Sequence, residues 1–517
     1  MDEHTPMQTN GRASRQPRTL LLLLLLLSGI VLLVAHALRF RILFDGNCPD
    51  DAYISFRYAD NLMRGEGLVF NPGEPRVEGF SNFLWVLLLA PLATLFADLT
   101  LPAQLLGLLC AAATLVVAVA ALRDLFQVRT LGPTAFLLLL LAGSGYYAAW
   151  SVGGLEGGLF GLLLLTAWWL YSRELESESG RLPLSAFFFA LVALVRPEGV
   201  LIAAGVALFH LVWVGASRPR PAMRRLLFFP LLLLGLVLAY EVWRFHYYGP
   251  HLFPNSVRAK VGSTWNQVAR GLHYSTTHFL VPYFPLLLTL ASGRAVWRRP
   301  ASVVGLLLFL GYLLFVVLVG GDWSRGRFYA PLLPLGTLLF VAAFARAPRW
   351  QRLRSARVRP MLLGVAGVYL LACFIITSPL REVSDWSLWT RGDAERIAIG
   401  KWLHETAPPD ALLGVMAAGQ IPYYSQLRTH DMLGLNDPRI AGLEVSQLGR
   451  GTPGHEKFDP TYTLGEVRPD VIVGGDRMIY YRRHPLFQRD YQLVRHFWEH
   501  HQVAVRRDFL PRLRTPR

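Results

Sequence analysis

Residues Leu20 to Leu38 form an almost unbroken run of Leu, Val, Ile and Ala, long enough as a helix to cross a hydrocarbon core of about 30 Å. Such a segment has no stable place on a water-soluble globule. Further apolar runs follow near 82–98, 101–122, 133–150, 154–171, 182–196, 199–215, 226–243, 274–292, 302–320, 329–345 and 361–378. The composition agrees, with 53% hydrophobic and 17% charged residues and a mean hydropathy of +0.36. The expected fold class is an α-helical polytopic membrane protein.

Arginine placement orients the spans. Arg12, Arg15 and Arg18 precede the first run, which reads as a retained anchor, so the tail 1–18 is expected in the cytoplasm and the loop that follows outside. The basic connections 216–225 (Arg218, Arg220, Arg224, Arg225), 294–299 (Arg294, Arg298, Arg299) and 346–359 must all be cytoplasmic. Twelve crossings give the wrong parity for that. The run 82–98, short and broken by Pro91, is expected as an interfacial or re-entrant helix, leaving about eleven transmembrane helices. The expected domains are the tail 1–18, a membrane domain 19–379 with a first outer loop 39–100, and a small extracytoplasmic α/β domain 380–517. In the last of these, a helical stretch near 393–405 and the strand-like "ALLGVMA" and "DVIVGG" alternate with turn residues.

The net charge of +16 comes mostly from arginine, since only Lys260, Lys401 and Lys457 among the 51 basic residues are lysine. Much of that charge lies between spans, so nucleic acid is not implied. Cys48, Cys110 and Cys373 are scattered and odd in number, which supports neither a disulfide framework nor a four-ligand metal site. No P-loop, HExxH or GxSxG motif is present.

Unusual polar residues collect on the outer side. Asp50 and Asp51 begin a helix whose apolar residues include Tyr53, Ile54, Phe56, Tyr58 and Leu62; capping that helix accounts for one aspartate better than for two. Glu156 stands among four glycines at a membrane boundary, where an ionisable group marks a substrate path unless it reaches interfacial water. Arg196 and Glu198 flank Pro197 at a tight turn and could form a mutual ion pair. "EVWRFHYYGPHLFPNSVRAKVG" carries Arg244, His246, Arg258 and Lys260, which suit an anionic group at the interface or simple phospholipid contact. "VGGDWSRGRFYAP" adds Asp322, Trp323, Arg325 and Arg327, with Asp322 able to pair with Arg325.

An outward-facing membrane enzyme has no nucleotide sugar to draw on, so a transferred group must arrive on a lipid carrier such as a polyprenyl phosphate. Asp50 or Asp51 could take the proton of an acceptor hydroxyl while arginine and lysine stabilise the departing phosphate. The same two aspartates could instead hold a divalent cation, Mg2+ or Mn2+.

The segments "DDAYISFRYADNLMRGEGLVFNPGEPRVEGFSNFLW", "GLEGGLF", "RPEG", "YYG...PNS..AK" and "GGDW", with "DMLGLNDPRIA" and "GHEK" near the C-terminus, resemble the polytopic C-type glycosyltransferases, in particular the arabinofuranosyltransferases of the mycobacterial cell wall. That resemblance implies an inverting transferase of the bacterial cytoplasmic membrane with a polyprenyl-phosphate sugar donor, a glycan or glycolipid acceptor and a carboxylate base in the first outer loop. It implies arabinofuranose or another pentose or hexose as the sugar. The base is Asp50 or Asp51, with Asp50 first because the first Asp of such a pair is the usual one. Arg196, Arg258, Lys260, Arg325 and Arg327 would meet the donor phosphate. Tyr53, Glu156, Glu198, His246, Asp322, Trp323, Asn436, Asp437, His455, Glu456 and Lys457 would meet sugar or acceptor, although Asp437 and His455 could only shape loops. One departure is Gly157 and Gly158 after Glu156, where the family has a longer side chain such as Thr, which bears on donor or acceptor preference. The competing readings are a protein O-glycosyltransferase, a transporter, and a non-enzymatic scaffold or glycan-binding protein.

Overall fold

The computed structural model describes residues 16–177, 182–216, 222–262, 264–280, 299–346, 379–475, 477–497 and 500–514. Helices α1 (Gln16–Leu43), α2 (Asp50–Met63), α3 (Phe83–Ala93), α4 (Thr100–Leu125), α5 (Leu131–Ala142), α6 (Gly145–Ser151), α7 (Gly157–Glu176), α8 (Leu184–Val195), α9 (Glu198–Gly215) and α10 (Met223–Tyr248) follow one another. After them come α11 (Asn255–Lys260), α12 (Trp265–Ser275), α13 (Pro300–Leu318) and α14 (Leu333–Arg346). Then α15 (Pro379–Thr406) leads into a small sheet domain that carries α16 (Gln420–Ser425) and α17 (Pro438–Ala441). The protein is a multi-pass membrane protein. Among the described residues, the spans Arg18–Leu43, Thr100–Leu125, Glu198–Gly215, Met223–Tyr248 and Pro300–Leu318 are each long and apolar enough to cross a bilayer.

One expectation meets a different outcome. The run 133–150, expected as a single span, is broken: α5 and α6 meet at an angle of 61°, because Ser144 caps a new helix by accepting the Tyr147 N–H. The 82–98 run becomes the eleven-residue α3, which at about 1.5 Å per residue is roughly half the length a crossing requires. The run 361–378, Cys373, most of 346–359 and most of 274–292 lie outside the described residues.

Gly158 accounts for part of the glycine-rich start of α7. A Cβ there would lie 2.9 Å from the Gly107 carbonyl of α4, so the residue is needed for helix contact. In the C-terminal domain the strands β1 (Leu412–Val415), β2 (Arg428–Asp431), β3 (Val471–Gly474), β4 (Tyr491–Phe497) and β5 (His501–Arg506) lie in the order β2-β1-β3-β5-β4. β1 pairs parallel with both β2 and β3, while β5 pairs antiparallel with β3 and β4. The expected "ALLGVMA" and "DVIVGG" strands are β1 and β3, the short apolar runs buried at the sheet centre.

This domain is seated on α2. The buried Arg57 guanidinium donates to the carbonyls of Phe70 (2.7 Å), Pro422 (2.5 Å) and Leu427 (2.8 Å), spanning the first loop and the sheet domain. Asn71 and Tyr58 make similar crossings to Thr429 and Asn436. One end of the helix bundle is therefore roofed by the loop after α1 and by the C-terminal domain.

Candidate active site

At the start of α2 the two aspartates part company. No side chain makes a capping hydrogen bond on this helix, although both aspartates lie in its first turn, where the helix dipole favours negative charge. Asp50 accepts the backbone N–H groups of Gly419 (Oδ2, 3.0 Å) and Gln420 (Oδ1, 2.8 Å), with Arg396 Nε 3.7 Å away. Burial pushes its carboxyl up to about 6, against the pull of Arg396. Asp51 instead accepts from Arg327 Nη1 at 2.7 Å through Oδ2. Burial would raise it, but the Lys260 and Arg327 charges together hold it well below the usual carboxylate range. It is ionised at any physiological pH.

Arg327 has a second carboxylate beside it, with Nε 3.2 Å from Asp322 Oδ2. Asp322 itself is pushed up by burial, against the pull of Arg327 and Lys260. Lys260, at the end of α11, acts on both aspartates through space, and its ammonium makes no direct ion pair or hydrogen bond among the described residues. His455 lies within the same field and faces Trp323 edge-on at 6.4 Å. Asp51, Lys260, Asp322, Trp323, Arg327 and His455 therefore converge at one place, drawn from α2, α11, the 319–329 turn and the C-terminal domain.

Beside them is a buried polar chain. Arg196 donates to Glu156 Oε1 (3.1 Å) and to Glu198 Oε1 (2.5 Å); Glu156 also accepts from Asn82 (2.9 Å), and Tyr312 donates to Glu198 (3.3 Å). The expected Arg196–Glu198 pair is thus present, with Glu156 added to it. Phe328 joins the two clusters, since its ring lies 4.8 Å from the Arg196 guanidinium and 5.8 Å from that of Arg327.

From Glu198 and Tyr312 an apolar groove of about 310 Å3 runs down between α9 and α13. Leu201, Val206, Phe209, Val304 and Phe315 line it, and Gly205 and Gly311 open it where a side chain would otherwise intrude.

Other expected residues hold the structure together. Tyr53 is buried, with its hydroxyl on Thr100 (3.0 Å) and its ring near those of Tyr423 and Tyr424. Asn436 bonds Asp431 and Tyr58, and Asp437 caps α17 by accepting the Ile440 N–H. Glu456 accepts from the amides of Gly449 and Gly451 and pairs with Arg270 (2.9 Å). Lys457 donates to the carbonyls of Arg258 (3.0 Å) and Ala441 (2.6 Å), fastening α11 to the C-terminal domain. The Arg258 guanidinium has no direct partner among the described residues. Arg325 offers its carbonyl to Trp150, and His246 is exposed on the last turn of α10. Asp50 and Asp51 turn to different neighbours, Asp50 to two amide donors and Asp51 to Arg327. Among the described residues no three His, Cys, Asp or Glu side chains converge as ligands.

Arg396, Asn82, Glu78 and Tyr312 were not singled out from sequence. Glu78 and Asn82 lie inside the quoted first-loop motif, and Glu78 forms a buried pair with Arg244 at 2.9 Å. Arg396 and Tyr312 carry no local signal for the site, since Arg396 reaches Gln420 and Asp50 and Tyr312 reaches Glu198, all more than 20 residues away in the chain.

The helical membrane bundle with its C-terminal roof shares its fold with solved membrane proteins. It superposes on ArnT from Cupriavidus metallidurans bound to undecaprenyl phosphate with a TM-score of 0.58 at 14% identity, covering 92% of this chain and 97% of that one. The archaeal oligosaccharyltransferase AglB from Archaeoglobus fulgidus, in complex with an inhibitory peptide and a dolichol-phosphate, gives 0.51 at 11% identity over 87% and 70%.

In sequence the chain is similar to the terminal β-(1→2)-arabinofuranosyltransferases. It is 31% identical over 398 residues to that of Mycobacterium tuberculosis (strain ATCC 25618 / H37Rv), covering 66% of this chain and 57% of the relative. The Corynebacterium glutamicum protein is 29% identical over 340 residues, 56% of this chain and 46% of the relative. The chain thus spans about half the length of the curated relatives it matches. Residues 385–512 match a family described as a domain of unknown function, DUF8728.

Proposed function

We propose that this chain is an inverting glycosyltransferase that moves arabinofuranose, or another pentose or hexose, from a polyprenyl-phosphate donor to an envelope glycan or glycolipid. It would do so at the outer face of the bacterial cytoplasmic membrane, with residues 380–517 on that side. The observation that carries this reading is Asp51: ionised, with Oδ1 unpartnered among the described residues, beside Arg327 and Lys260. The geometry favours Asp51 over Asp50 as base, since each Asp50 oxygen already accepts an amide N–H while one Asp51 oxygen has no partner among the described residues.

In the step proposed, Asp51 accepts the proton of an acceptor hydroxyl as that oxygen bonds to the anomeric carbon from one face. The bond from that carbon to the donor phosphate oxygen breaks on the other face, and the phosphate leaves with the electron pair. Lys260 and Arg258, unoccupied by carboxylates, are suited to receive that charge, whereas Arg196 already answers two carboxylates. The groove below Glu198 and Tyr312 supplies an apolar path for the polyprenyl chain.

The test is transfer from synthetic polyprenyl-phosphate arabinofuranose, with mannose and glucose analogues alongside, by the full chain in lipid nanodiscs. Turnover of one donor that Asp51→Asn abolishes and Asp50→Asn only reduces is expected. No turnover of any donor, by folded protein that still binds envelope glycan, would overturn the reading in favour of a scaffold.

A further inference from the structure

The strongest feature the proposed reaction does not use is the wiring behind Asp50. The N-terminus of α16 is pressed against the first turn of α2, so closely that a Cβ on Gly419 would lie 1.8 Å from the Asp50 carbonyl oxygen. Gln420 is engaged three ways: its N–H on Asp50, its Oε1 accepting from Arg396 Nε (2.7 Å), and its Nε2 donating to the Cys48 carbonyl (3.1 Å). Arg396, on α15, is the hub. It pairs with Asp393 one turn before it, approaches His501 Nε2 of β5 at 3.4 Å and faces Asp50 at 3.7 Å. His501 is fixed in turn by Glu395 at 2.8 Å. A buried line of contacts therefore runs from the last strand of the C-terminal sheet through one guanidinium to the residue next to Asp51.

We propose that Arg396 is a positioning residue through which the C-terminal domain aims Asp51, so that the membrane bundle alone does not contain a competent site. This rests on Asp51 being the base. Asp50 and Asp51 share the first turn of α2, and that turn has no side-chain cap of its own. Its orientation is set from outside, by two amides and a guanidinium on Asp50 and by Arg327 on Asp51. Releasing the first set leaves Asp51 paired with Arg327 but no longer fixed in direction. A displacement of about 1 Å at a reacting group can cost roughly 10²-fold in rate. Arg258 and Lys260 on α11, which the proposed reaction assigns to the donor phosphate, are fastened through Lys457 and not through Arg396.

The test uses the full chain in nanodiscs, with Arg396→Gln, Arg396→Lys and Asp51→Asn, each checked for unchanged elution and thermal unfolding. Arg396→Gln is expected to lower kcat 10- to 100-fold with the donor KM within about twofold, and Arg396→Lys to recover part of that loss by restoring the charge. If Arg396→Gln fails to fold, Arg396→Lys and Gln420→Ala, which removes one support of the guanidinium, give the same readout. Wild-type kcat in Arg396→Gln, or a change confined to KM, would overturn the proposal. Failure of Asp51 as base shows separately, as activity surviving in Asp51→Asn.

Discussion

Gly419→Ala tests the contact between the C-terminal domain and the first turn of α2 most directly. The added Cβ would lie 1.8 Å from the Asp50 carbonyl oxygen and 2.9 Å from Asp50 Cγ, and a Cβ does not come nearer than 3.0 Å to a backbone atom, so the surfaces must part by about 1.2 Å. The N–H contacts of Gly419 and Gln420 on Asp50, now 3.0 and 2.8 Å, then exceed bonding distance. Two hydrogen bonds to a charged acceptor are worth about 1.5–3 kcal/mol each, so the docking loses on the order of 3–6 kcal/mol. Turnover of the lipid-linked donor should fall about 10²-fold, and limited proteolysis should cut more readily near the junction of α15 and β1. Gly235→Ala, where a Cβ meets nothing within 4 Å, is the matched control and should be neutral. Turnover and protease resistance in Gly419→Ala equal to those of the control would refute the reasoning.

Two further outcomes are expected. Asp50 binds a proton more tightly folded than unfolded, because burial raises it to about 6 from 3.8, so its contribution favours the folded state as pH falls through about 6. Asp51 shifts the other way, and the stability it contributes is lost only below the usual carboxylate range. Between pH 7 and 5, thermal unfolding in detergent should therefore show a stability gain, about 1 kcal/mol of it from Asp50, that Asp50→Asn removes; an equal gain in the variant contradicts the assignment. Gly311→Leu puts a branched side chain into the groove between α9 and α13, and should raise the donor KM about tenfold for long polyprenyl chains while sparing kcat. An unchanged KM would show that the lipid lies elsewhere.

The sequence by itself determined what depends on short-range pattern. Uninterrupted apolar length names a membrane span, since no other solvent tolerates it, and the strands β1 and β3 show as apolar runs bounded by turn residues. Ordered motifs placed Asp50, Asp51, Lys260, Asp322 and Arg327 among the candidates. What the sequence could not decide was direction. Adjacent residues at a helix start point to different neighbours, and only the packing shows Asp50 turned to the C-terminal domain and Asp51 to Arg327. Lys457 and Glu456 look as chemical as Lys260 in one dimension, yet both are consumed by backbone carbonyls and amides. Arg396 lies 346 residues from Asp50 along the chain, and nothing local to either end predicts their approach. A charge acquires its role from what surrounds it in a low-dielectric interior, and those surroundings come from chain segments that the sequence keeps far apart.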